Sequence, residues 1–351
     1  MTDNQVRMDW SWRFLSGWQD GQGAVRMRPA LADNVLYVAH RDGQVAALQN
    51  DTGREIWRMH YEPWQAGITY HEGKLYLINQ TGELNVLSAQ TGELEQDSDL
   101  GLTTLLPPAV AGNYIALLGQ DGALRLWDNA SRSWVWIYDS EQPTLTLHGQ
   151  SQPLIIDNMV VAGFANGRLV GFNLLTGELR WAHRLSDPRG STDLQRLVDV
   201  DAGPLLIDGR VYAAGFEGRL VEVMPESGDI RWETQQSVSA NLVTDGRSLF
   251  VASRTGEVFA YDLRNKGIRW HQQGYAGRPI TGLSVTGEGL VMTDRRGYAH
   301  VLSTLTGDTL GRINFRGSRH FTVPAATDSD RFYLQSMEGL ITGNSIRLQQ
   351  E

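Results

Sequence analysis

One glycine-punctuated phrase recurs through this chain, and a sequence that repeats at fixed spacing has few folds open to it. In residues 29–57 an apolar run meets a turn at Asp33-Asn34. Val35-Leu36-Tyr37-Val38-Ala39, Asp42-Gly43 and a run from Gln44 to Leu48 follow, then Thr52-Gly53 and a run ending at Trp57. The phrase returns at 153–181 with Asn166-Gly167, Thr176-Gly177 and Trp181, and at 203–232 with Glu217-Gly218, Ser227-Gly228 and Trp232. Weaker copies carry Gly82 and Gly92, Gly256 and Gly267, and Gly297 and Gly307. Gly122 and Gly339 stand without a second glycine. The first glycine precedes the second by 10 residues in five copies and by 11 in the Gly256 copy. Successive first-turn glycines lie 39, 40, 45, 51, 38, 41 and 42 residues apart, close to the length of a propeller blade.

Asp-Gly, Asn-Gly and Thr-Gly between short apolar runs mark hairpin turns that need positive φ. The runs alternate with period 2, as Leu36 and Val38 or Leu169 and Gly171 do, and are β-branched or aromatic, as strands require. Four strands per copy and eight copies predict an all-β, eight-bladed propeller of four-stranded antiparallel blades. The last copy, 324–346, supplies only three strands, while Asp9-Trp10-Ser11-Trp12-Arg13-Phe14 is an aromatic strand with no blade of its own. The N-terminal strand is therefore expected to complete blade eight and cover an edge that would otherwise be open. Residues 9–346 read as one propeller, residues 1–8 as a disordered N-terminal segment and 347–351 as a tail. Although 351 residues usually suggest several domains, a propeller grows by adding blades.

Composition narrows the function. A net charge of −9 argues against nucleic acid as a partner, since phosphate recognition needs a basic face. No run of about 18 apolar residues is present to span a membrane, and Met1-Thr2-Asp3-Asn4 does not begin a secretory signal. With no Cys there is no disulfide, thiolate metal site or Cys nucleophile. The eight His are scattered without a His-x-x-x-His pair, and no phosphate-binding loop or Gly-x-Ser-x-Gly elbow occurs. Gly21 and Gly23 read as a flexible loop. Asp97/Asp99 and Asp199/Asp201 could suggest calcium, but Gly101 and Gly203 stand where a third ligand would be needed. The expectation is a protein that is not an enzyme and has no cofactor or metal.

The phrase Thr-Gly-x-(Leu/Ile)-x-Trp resembles the tryptophan-docking motif of quinoprotein-type, PQQ-like propellers. That resemblance implies that Trp57, Trp181, Trp232 and Trp270 pack between blades. Residues 29–57 are similar to the first blade of the BamB family, propeller lipoproteins of the outer-membrane β-barrel assembly machinery. Gly190-Ser-Thr-Asp-Leu-Gln-Arg-Leu-Val-Asp-Val-Asp201 resembles that family's signature loop, and Pro143-Thr-Leu-Thr-Leu-His-Gly149 a second family segment. The resemblance runs from about Trp10 to Ile346. It implies a scaffold subunit that engages the periplasmic POTRA domains of BamA, and by analogy alone unfolded outer-membrane proteins. It places the native form on the periplasmic face of the outer membrane, held only by an N-terminal lipid. The family's signal peptide and lipidated Cys have no counterpart here, as expected of a soluble form lacking them, or of a cytoplasmic relative. Two other readings are a quinoprotein-like dehydrogenase, which would call for a vicinal Cys pair and calcium, and a WD40-type interaction propeller. Leu124-Arg125-Leu126-Trp127-Asp128 alone carries the Trp-Asp of the latter.

Insertions in a regular array mark functional loops. Trp136 to Pro153 spans 17 residues and Trp181 to Pro204 spans 23, against 11 from Trp57 to Ile68 and 10 from Trp270 to Ile280. Both long links join an outer strand to the next inner strand, at consecutive junctions. They are expected to form one patch on one face, with first-turn loops such as that of Arg295 on the opposite face. Leu145 and Leu147 read either as interface anchors or as the start of a buried strand. Asp193, Arg196, Asp199 and Asp201, with Leu194 and Leu197, read either as a charged rim or as a solvated turn with a local Arg–Asp pair. The family resemblance assigns partner binding to Leu145, Leu147, Asp199 and Asp201, with Arg196 beside them. His148 stands where the family's Leu-x-Leu-Arg has arginine, and histidine is mostly neutral near pH 7.

Overall fold

A computed structural model describes residues 6–15, 27–140, 151–186, 202–215, 218–287, 289–314, 326–327, 331–336 and 339–348. It is an all-β, eight-bladed propeller in which every blade is a four-stranded antiparallel sheet. The chain divides into two compact units, Met1–Leu100 with Val243–Glu351, and Gly101–Leu242. The first holds blades one, two, six, seven and eight; the second holds blades three, four and five. In blades one to seven the strands run from inner to outer in sequence order.

Blade eight is completed as the sequence predicts. Its inner three strands are Ala326–Thr327, Arg331–Gln335 and Leu340–Leu348, and the fourth is the N-terminal strand Val6–Leu15. That strand pairs antiparallel with the C-terminal one from Val6 opposite Leu348 to Leu15 opposite Leu340.

Second and third strands are buried along nearly their whole length, as in Val35–Ala39 and Gln44–Gln49. Their period-2 pattern therefore does not separate core from solvent; it separates one neighbouring blade from the other. In blade four, Val160, Ala162, Val170 and Phe172 pack with blade three around Leu124 and Leu126. Met159, Val161 and Leu169 pack with blade five around Val211, Val221 and Val223.

All eight outer strands carry a β-bulge at the same place. Ala47 faces Trp57 but Leu48 faces Glu55, and Gly171 faces Trp181 but Phe172 faces Leu179. A bulge re-aims the side chain beside it, and in six of the blades that side chain is a tryptophan. In five blades the indole reaches the following blade and donates its Nε1–H to a backbone carbonyl in the turn before the outer strand. The pairs are Trp12 to Asn50 (3.0 Å), Trp57 to Ala89 (3.0 Å), Trp136 to Leu174 (2.7 Å), Trp181 to Pro225 (2.8 Å) and Trp270 to Thr304 (2.9 Å). The second-turn glycine is needed there twice over. Gly177 has φ +68, and a Cβ on it would lie 2.6 Å from the Trp136 ring.

Two details of the repeat differ from the sequence reading. In blade six the left-handed residue is Lys266, at φ 64, and not Gly267. In blade three Arg132, at φ 53, fills the same position without glycine. The 10-residue spacing that broke at Gly256–Gly267 and at Gly122 is thus kept in both.

The antiparallel path also fixes which loops share an end. The turn between second and third strands lies at the same end of its blade as the link leaving the outer strand. The link's first backbone N–H donates to the first-turn glycine carbonyl, as Tyr61 does to Gly43, Leu100 to Gly82 and Leu185 to Gly167. In blade seven the backbone N–H of Arg295 reaches the Pro279 carbonyl in the incoming link. The expectation that first-turn loops such as that of Arg295 lie away from the links was wrong. An even number of strand reversals separates the two kinds of loop, so they share an end. The opposite end is formed by the other two turns.

Candidate functional site

The six residues singled out for partner binding, Leu145, Leu147, His148, Arg196, Asp199 and Asp201, lie outside the described residues. The structure instead describes where both long links leave and rejoin the second unit. The first link departs from the outer strand Ser133–Tyr138. Tyr138 is wedged against Phe172, with ring centroids 4.6 Å apart. Two residues on, Ser140 Oγ accepts a hydrogen bond from Asn166 Nδ2 (3.1 Å). Asn166 also accepts the backbone N–H of Arg168 (3.2 Å), closing its own turn. One side chain thus shapes the blade-four turn and holds the root of the first link.

The second link departs from Leu179–Arg184. Leu185 and Ser186 both donate backbone N–H groups to the Gly167 carbonyl, the next residue in that turn. Ser186 then lies against blade five so closely that a Cβ on Gly215 or Gly218 would overlap its hydroxyl. The outgoing roots of both links are therefore tied to adjacent residues, Asn166 and Gly167, of the turn Phe164–Gly167.

The incoming roots also meet. The first link returns at Ser151-Gln152, where Gln152 Nε2 donates to the Pro108 carbonyl of blade three (3.0 Å). The second returns into the inner strand Ala202–Ile207 of blade five, whose ladder skips from Ala202 to Leu205. Within that skip Gly203 lies directly on Ser151: a Cβ on it would be 2.8 Å from Ser151 Cβ. The consecutive-junction argument expected the two links to share one patch; of that, the described residues show only that their roots meet. It could not name Ser140, Ser151, Asn166 or Ser186, and it read Gly203 only as a missing metal ligand. The signal for Asn166 was its place before a turn glycine.

Two ion pairs at this end lie among the described residues. The Arg125 guanidinium holds the Asp121 carboxyl below its usual range, against partial burial. Arg219 pairs with Glu233 and donates to the Arg184 carbonyl. Toward the other end of blade five, Glu222 is fully buried and accepts from Arg210 and Tyr212, each at 2.8 Å. Burial first, and then the bond to Glu222, push the Tyr212 hydroxyl well above its ordinary pKa. Among the described residues no three His, Asp or Glu converge as metal ligands. Asp97 and Asp99 are exposed on an outer strand, and no described helix is long and apolar enough to cross a membrane.

This architecture has known counterparts. A family model described as Outer membrane protein assembly factor BamB matches residues 41–272. The chain belongs to the BamB family. A family member from Kangiella koreensis, named outer membrane protein assembly factor BamB, is 30% identical over 319 residues, covering 91% of this chain and 82% of its own length. One of the same name from Shewanella oneidensis is 28% identical over 343 residues, covering 94% and 87%. The crystal structure of BamB from Moraxella catarrhalis superposes with a TM-score of 0.83 at 22% identity, covering 97% of this chain and all of that one. The likeness to that family structure is one of fold, and the PQQ-like repeat read from the tryptophan phrase is the family's own.

Proposed function

We propose that the protein is a non-enzymatic scaffold subunit of the outer-membrane protein assembly complex, and that links 141–152 and 186–203 bind the periplasmic POTRA domains of BamA. The observation that carries this reading is the convergence of all four link roots on blades three to five in a family of outer-membrane assembly factors. A rigid set of blades holding two adjacent loops suits an interface in which a few anchors dominate the energy. Leu145 and Leu147 supply apolar anchors, Asp199, Asp201 and Arg196 a charged rim, and His148 a polar neighbour. The native form sits on the periplasmic face of the outer membrane through an N-terminal lipid.

The test is a binding titration of this chain against the soluble POTRA segment of BamA. Saturable binding lost on replacing Leu147 supports the reading, and no binding at any accessible concentration ends it. In parallel, pyrroloquinoline quinone with calcium should leave the melting temperature unchanged, since only a ligand of the native state raises it.

One observation favours a second contact, with unfolded outer-membrane proteins. Every outer strand is a sheet edge, and edges are ordinarily protected by charge. Seven outer strands carry at least one Arg, Glu or Asp; Ser133–Tyr138 carries none, and its Ile137 is 52% exposed. An uncharged edge can accept an added strand.

A further inference from the structure

We infer that the contact between Gly203 and Ser151 sets the spacing of the two long links, making these two residues positioning residues for partner binding. The inference rests on the proposed role of the links and adds to it how their relative placement is fixed.

The contact is unusual in kind. Ser151 stands just before the inner strand Leu154–Ile156 of blade four, where the first link returns, and Gly203 lies in the inner strand Ala202–Ile207 of blade five, where the second returns. Gly203 has no left-handed backbone to explain a glycine, because it is absent from the positive-φ residues. Its reason is steric: a Cβ would come within 2.8 Å of Ser151 Cβ, 3.3 Å of Ser151 Oγ and 3.6 Å of the Gln152 carbonyl oxygen. Packed interiors respond to such overlap by displacement, not by compression. The ladder at Gly203 is interrupted by the bulge between Ala202 and Leu205, so sheet pairing does not hold this residue in place. Ser151 adjoins Gln152, whose side-chain Nε2–H donates to the Pro108 carbonyl of blade three.

A second observation marks the same boundary. The hydroxyls of Ser151 and Ser186 are both buried and lack hydrogen-bond partners, and each lies against a glycine of blade five. Two small side chains at link roots, each matched to a missing Cβ, make one snug seam. The outgoing roots are joined through the Phe164–Gly167 turn and the incoming roots through Gly203 and Ser151. Each link is thus referenced to the other at both of its ends, and moving one root shifts the geometry that a partner meets.

The test is a steric swap. Gly203→Ala should weaken binding to the soluble POTRA segment of BamA by about threefold to tenfold, with a cooperative melt retained. The double variant Gly203→Ala/Ser151→Gly, which reopens the space, should restore it. Unaltered binding in Gly203→Ala overturns the inference, as does failure of the double variant to restore what the single variant loses. A second measurement separates this inference from the partner assignment. The chain has no Cys, so nitroxide labels at Leu147→Cys and Asp199→Cys report the distance between the links directly. That distance distribution should shift in Gly203→Ala and return in the double variant, whether or not the POTRA segment binds. An unshifted distribution overturns the inference.

Discussion

Trp12 and Asn50 are joined by a hydrogen bond of 3.0 Å from the indole Nε1–H to the backbone carbonyl. The ring fills a slot with no Cβ on either side, since one on Gly343 or Gly53 would lie 2.3 Å from it. This contact fastens the strand that completes blade eight to blade one, beside Tyr333, Leu36 and Val38. Trp12→Phe should cost about 1 kcal/mol for the lost hydrogen bond, and Trp12→Ala about 3–5 kcal/mol for the emptied slot. Removing residues 1–16 should expose the Leu340–Leu348 edge and promote association. Urea unfolding and light scattering read these outcomes; a truncated chain that stays monomeric and melts like the parent would contradict them.

Lys266 occupies a left-handed position that its neighbour Gly267 leaves unused. An L-residue there costs about 1–2 kcal/mol. Lys266→Gly should therefore raise stability by about 1 kcal/mol, whereas Gly53→Ala, at φ +66 and against Trp12, should lower it sharply. Denaturant midpoints of the two variants should move in opposite directions.

Asp294 is buried and accepts from His300 (3.1 Å), Arg278 (3.3 Å) and the backbone N–H groups of Arg296 and Tyr298. Burial pushes its carboxyl up, but the bonds from His300 and the backbone outweigh it and hold the pKa below the usual range. A depressed folded pKa means stability that is present above the unfolded value, about 3.9, and lost as pH falls through the folded value. Melting temperature should therefore drop on acidification below about pH 4. Asp294→Asn should be less stable than the parent at neutral pH, and the gap should narrow in acid. A gap that stays constant from pH 6 to about pH 2 would rule this linkage out.

Leu145→Ala and Leu147→Ala should weaken partner binding by about 1–4 kcal/mol if they anchor the interface. If they only fill core, stability should fall by about 2–5 kcal/mol instead, so binding and melting belong on the same samples. Asp199→Ala and Asp201→Ala should weaken binding in a salt-sensitive way. Leu175→Ala is the suitable control, because Leu175 is 53% exposed in the turn at the far end of blade four from the links. Arg295→Ala is not, since its turn lies at the link end of its own blade.

Ile137→Lys places a charge on the one uncharged outer strand. It should leave folding intact, because the side chain is half exposed, and should reduce capture of a urea-diluted outer-membrane barrel protein. Equal capture by parent and variant would remove this edge from consideration.

The blade pattern was legible because each turn must adopt a conformation that few residues accept. The glycines at 43, 82 and 167 mark the first turns without help from tertiary contacts. Where Arg132 took the left-handed position the second glycine was missing, and where Lys266 took it the signal slipped by one residue to Gly267, although the backbone conformation was kept in both. The tryptophan latch was legible as a phrase, but Trp12 and Trp136 lacked its glycine and were not recognised as docked. The link roots were harder still. Asn166, Ser151 and Gly203 act through neighbours about 26 to 52 residues away, and no local pattern records such a meeting.

The five tryptophan bonds described above run in one sense, from an outer strand to the turn of the blade that follows. A blade is therefore a piece with a plug on one side and a socket on the other. Duplicating such a piece brings both fittings with it, so the array can lengthen without inventing a new contact. Blades two and seven, where Gln96 and Gly311 stand opposite the third strand in place of tryptophan, have lost the plug. A copy made from either would arrive with nothing to insert into its neighbour, which makes the other blades the better parents for any added repeat.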